Sequence, residues 1–176
     1  AGTVTEESLI DEKENNFIAC AYYGEKGSAL SWCDITTGEF YAKKCETADV
    51  LNELSDNLTR INPSEIICNE KLAAVSDDLP VVKHRVIPRP RKYADDNFLF
   101  RNAEIALKEQ FGVISFKAFG IDENDVVLIT ASGALIAYLK ETQKRALINI
   151  NGIKPEKNSD IMGLDYSALR NLELVK

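Results

Sequence analysis

Apolar positions fall into short runs in the first half of the chain and into helical spacing in the second. FIACAYY (Phe17–Tyr23) is apolar throughout, the pattern of a strand covered on both faces. Gly24–Gly27 supplies a turn, and Ser28–Ile35 follows as a second strand with Leu30 and Trp32 alternating against Ser31 and Cys33. Thr37-Gly38 reverses the chain into a third strand, Glu39–Cys45, completing an antiparallel meander. Val50, Leu51, Leu54, Leu58 and Ile61 then recur at helical spacing behind Thr47 as N-cap, and Asn62-Pro63 ends that helix.

Ser64–Cys68 is a short strand, and the helical crossover before it makes it parallel to its neighbour. A short helix near Lys71–Val75 leads to a strand at Val81–Ile87, stopped by Pro88 and Pro90. Asp95 or Asp96 is placed to cap a helix carrying Leu99, Ala103, Ala106, Leu107 and Phe111, closed by Gly112. Asp122 is placed to cap a long helix reaching about Lys144, with Val127, Ala131, Ala134, Leu135, Tyr138 and Leu139 on its apolar positions. The small residues Ala131–Ala134 permit a close neighbour. Patterning weakens from Ala146 to Leu164, where a helix without closing signals begins, as at a truncated boundary. Residues 1–14 show no apolar periodicity and read as a linker. This order matches an α/β class, a ribonuclease H-like mixed sheet of meander plus parallel strands, flanked by helices and followed by a helical extension.

The 176 residues suffice for one domain with a real core, and 45% hydrophobic with 28% charged residues is a globular balance. No apolar run approaches the roughly 20 residues that span a bilayer. The polar, acidic N-terminus, with Glu6, Glu7, Asp11, Glu12 and Glu14, is unlike a secretory signal, so the expected compartment is the cytoplasm, with no membrane partner. A net charge of −7 opposes unaided binding to duplex DNA, which is driven by phosphate neutralisation. One basic island, Lys83–Lys92, holds Lys83, Arg85, Arg89, Arg91 and Lys92; a solvated, proline-stiffened loop is favoured there over phosphate contact.

Catalytic chemistry finds little support. A two-metal nuclease on this fold needs clustered carboxylates, the first in the middle of the first strand, and FIACAYY has no acid. Asp34 and Glu39 flank a turn, where Asp34 is expected to accept backbone hydrogens. Cys20, Cys33, Cys45 and Cys68 are too widely spaced for zinc; three of the four lie in predicted strands beside apolar residues, and all four read as reduced thiols. His84 is the single histidine, and neither GxGxxG nor GxxxxGK[ST] occurs. The expectation is no catalytic, metal-binding or cofactor-binding residue. A divergent ribonuclease H-like nuclease and a free-standing DNA-binding domain using Lys83–Lys92 are the alternatives.

The strings GTVTEESLIDEKENNFIACAY, DITTGEF, RINPSEI, QFGV, AFGI, ASGALIAYLKETQK and MGLDYSALRNLEL, in this order, resemble the middle of bacterial MutS DNA mismatch-repair proteins. The resemblance covers essentially the whole chain; Ala1-Gly-Thr stands where the family commonly has Pro-Gly-Thr. It implies a linker from a mismatch-reading domain at 1–14, a connector domain at 15–143, and the start of the core domain at 144–176. In the family, mismatch reading uses a Phe-x-Glu motif and ATP hydrolysis a P-loop, and this chain has neither. ATP, magnesium and mismatched DNA would then belong to the parent protein, and the connector would join its other domains and offer a surface to MutL. On the predicted helices Glu104, Lys108, Lys140, Glu141 and Lys144 fall on the wet sides, with Ile105 as an exposed apolar anchor among charges. These six are the candidate partner-binding residues.

Overall fold

A computed structural model describes residues 16–79 and 87–158. Strands β1 (Phe17–Gly24), β2 (Gly27–Asp34) and β3 (Phe40–Lys44) form the expected meander, turning tightly between Gly24 and Gly27. Helix α1 (Val50–Ile61) crosses over to β4 (Glu65–Cys68), which lies parallel to β1 as the crossover requires. After α2 (Glu70–Ala74) comes a two-residue edge strand, β5 (Arg91–Lys92), parallel to β4. Helices α3 (Phe100–Phe111), α4 (Val126–Thr142) and α5 (Lys144–Leu147) precede β6 (Lys154–Glu156), which is parallel to β3. The sheet order is β5-β4-β1-β2-β3-β6. The chain is thus α/β with a mixed sheet, as its pattern predicted.

Both faces of the sheet are covered. Ile18 and Cys20 of β1 join Cys33, Phe40 and Ile67 beneath α3 and α4, while Ala19 and Ala21 join Leu30, Trp32 and Ile66 beneath α1. The alternation expected in β2 therefore does not separate dry from wet: Ser31 and Cys33 are as buried as Leu30 and Trp32, because a helix packs over each side. Helix α4 is buried at 12 of its 17 positions, more than one apolar stripe provides. At Gly133 an added Cβ would lie 2.3 Å from the Ala103 carbonyl oxygen, so α3 and α4 touch backbone to backbone there.

Several expected boundaries shift. The N-cap of α1 is Asp49, whose carboxylate accepts the Asn52 N–H at 3.3 Å; Thr47 instead gives its N–H to Glu53. Asp95 and Asp96 lie in a 3₁₀ turn, and α3 starts after Leu99, which is exposed. Asp122 spends its carboxylate on the Asn124 N–H at 2.8 Å, leaving Asp125 at the N-cap of α4. Gln143, with φ −139° and ψ 54°, ends α4 before Lys144. Most of the expected strand at Val81–Ile87, with His84, Lys83 and Arg85, lies outside the described residues, as do the linker at 1–14 and the helix from Leu164. Residues 144–156 pack on this same unit, with Ala146, Ile150 and Ile153 buried and β6 extending the sheet.

Candidate functional site

The acidic residues near the sheet are already committed. Asp34 accepts the Thr36 N–H at 2.8 Å and the Thr37 N–H at 3.3 Å, the turn role its position predicted. Glu39 accepts from the Tyr41 hydroxyl at 2.8 Å and from Lys154 at 3.3 Å; these contacts, Tyr41 first, hold its carboxyl below the usual range. Glu65 takes Arg91 and the Tyr138 hydroxyl, and Arg91 also donates to Tyr138 at 2.7 Å. That triad pins β5 to α4. At the end of β4, Asn69 bonds both backbone groups of Tyr23, at 3.0 and 2.9 Å. Among the described residues no group of three or more His, Cys, Asp or Glu could hold a metal ion.

The four cysteines are free thiols. Burial pushes Cys68 up to about 11 and Cys33 and Cys45 up to about 12, and raises Cys20 as well. They are therefore protonated near neutrality and poor nucleophiles.

The described part of the basic island is neutralised within the molecule. Arg89 pairs with Asp77 at 3.0 Å, Lys92 with Glu70 at 3.3 Å and Arg91 with Glu65. Arg91 and Lys92 form a two-residue strand within the expected loop, with both side chains exposed as expected. Pairing to β4 and the Tyr138–Glu65 contact hold them on the sheet.

Of the six candidate partner-binding residues, Ile105 is 45% exposed, as its position on the helix predicted. Glu104 and Lys108 are half-buried rather than wet, because they pair with each other at 3.6 Å and Lys108 also sits 5.6 Å over the Phe116 ring. Lys140, Glu141 and Lys144 are exposed at the end of α4 and start of α5. Glu141 also faces inward chemistry: burial first, then the Glu141 carboxylate beside it, raises the Tyr93 phenol. No hydrogen bond or ion pair among the described residues joins the α3 trio to the other three. Gln110 instead ties α3 to the segment after α4, donating to the Leu147 and Ile150 carbonyls at 2.8 and 3.1 Å.

Two residues beside Lys144 escaped the sequence reading. Arg145 is exposed and Ile148 is 78% exposed, while Ala146 turns inward. Only the break at Gln143, which starts a new helical phase, brings them out beside Lys144, and no periodicity in the sequence signals that break.

No helix among the described residues is long and apolar enough to cross a membrane. The family described as MutS domain II matches residues 16–151. The chain is 31% identical over 173 residues to the DNA mismatch repair protein MutS of Ehrlichia chaffeensis, covering 98% of the chain and 21% of that protein. It is 33% identical over 175 residues to MutS of Ruminiclostridium cellulolyticum and 34% over 175 residues to MutS of Symbiobacterium thermophilum, each covering 99% of the chain and 20% of the relative. The chain therefore spans about a fifth of the length of the curated relatives it matches.

Proposed function

Since the chain belongs to the MutS domain II family, we propose that it is a non-catalytic connector module of a mismatch-repair protein, joining a mismatch-binding part to the core. The observation that carries this reading is the prior commitment of the side chains that chemistry would need. Asp34 serves a turn, Glu39 and Glu65 serve ion pairs, and the cysteines are free thiols, three of them buried and Cys45 half-buried. What the molecule offers outward is charged and mixed. ATP, magnesium and mismatched DNA belong, on this reading, to other parts of the parent protein, which works in the cytoplasm.

The docking surface for a MutL-type protein comprises Glu104, Ile105, Lys108, Lys140, Glu141 and Lys144. Its supports are the exposed Ile105 and the exposed charges at the end of α4, an arrangement suited to reversible, salt-sensitive contact. Calorimetric titration with a purified MutL-type protein tests it. The variant K144E, which is clear of Tyr93, is expected to bind roughly three- to tenfold more weakly with an unchanged thermal midpoint. Unchanged binding would remove the proposed face, and a wild-type chain that binds no MutL-type protein would remove the partner. A short DNA duplex in the same cell is expected to give no heat, given the net charge of −7.

A further inference from the structure

We propose that β6 is an ionic latch: a strand held on the edge of β3 by charge, which swings away about Ile153 when its ion pairs are screened. The backbone ladder is thin. β6 has three residues, paired Tyr41↔Lys154, Ala42↔Pro155 and Lys43↔Glu156, and the middle one is a proline with no N–H to give. What remains is electrostatic. Lys154 pairs with Glu39 at 3.3 Å and sits 5.7 Å over the Tyr41 ring, while Glu156 pairs with Arg60 at 2.5 Å.

The two sides of the latch are unequal. Its receiving groups stay in place without β6: Glu39 is also held by the Tyr41 hydroxyl, and Arg60 by the Asn57 side chain at 3.0 Å and the Trp32 ring at 5.7 Å. Detachment therefore disturbs little of the body. Ile153 is buried immediately before the strand and fixes the pivot; Lys154 and its partner Glu39 are open to solvent and screened by salt, whereas the half-buried Arg60–Glu156 pair is screened less. Opening exposes the outer edge of β3.

Hydrogen exchange on the full 176-residue chain at low and high sodium chloride tests the latch. The Lys154 and Glu156 amides should exchange roughly five- to tenfold faster at high salt, while Leu135 in α4 keeps its rate. The variant K154Q/E156Q, which leaves the core untouched, should exchange fast at both salt concentrations. Equal protection of Lys154 and Glu156 at the two concentrations overturns the proposal. So does slow exchange in K154Q/E156Q, or parallel acceleration at Leu135, which would mark global loosening.

Discussion

Lys43 and Glu53 form a charge pair that the sequence hid among a strand and a helix. They meet at 3.3 Å with 1% and 8% exposure, and Glu53 also accepts the Thr47 N–H at 2.7 Å and the Glu46 N–H at 3.0 Å. Burial raises the Glu53 carboxyl, but the Thr47 and Glu46 bonds and Lys43 outweigh it and leave the group below its ordinary value. A carboxyl depressed on folding adds stability above its unfolded pKa, about 4.3, and that stability is lost as pH falls through the lower folded value. The E53A variant leaves Lys43 charged and buried, so its urea midpoint at pH 7 should correspond to a loss of about 3–5 kcal/mol. The gap to wild type should close as pH drops below about 4. A gap that stays constant as the pH falls through the acid range would contradict this account. Exposed pairs such as Arg89–Asp77 contribute only about 0–1 kcal/mol each.

At the scale of elements, α4 is the organising piece. It faces β2 closely enough for the Ser31 hydroxyl to donate to the Ala131 carbonyl at 2.8 Å, and it meets α3 at Gly133. Ala131–Ala134 announced that approach in the sequence, since small side chains are what backbone contact requires. The G133A variant forces a methyl against the Ala103 backbone and should lower unfolding free energy by roughly 1–3 kcal/mol. Thermal unfolding measures it, and a wild-type midpoint would mean the helices can separate without cost. The helix starts were less legible. Thr47, Asp95, Asp96 and Asp122 are all good caps by composition, yet Asp122 bonds within its own loop and Asp95 and Asp96 enter a 3₁₀ turn. Local side-chain-to-backbone bonds compete with capping, and sequence does not rank the competitors.

At the scale of the molecule, two apolar clusters lie on opposite faces of one sheet and share β1 and β2 residue by residue. Neither cluster survives the loss of those strands. Trp32, the single tryptophan, reports the α1 side, while among the described residues α3 and α4 on the other side supply most of the helix seen by far-ultraviolet circular dichroism. The two signals should trace one coincident urea transition. Separate midpoints would show that the layers fold independently.

The sequence by itself determined the class and the inventory. Continuous apolar runs demanded strands covered on both sides, helical spacing demanded α1, α3 and α4, and the acid-free first strand argued against metal-dependent cleavage. Tertiary structure decided what periodicity cannot carry: that Arg91 and Lys92 become an edge strand and that Lys154–Glu156 joins β3. The reason is range. A pattern along the chain reports which face of an element is apolar, whereas the partner of a charge or a sheet edge is fixed by residues that packing brings from 26 to 115 positions away.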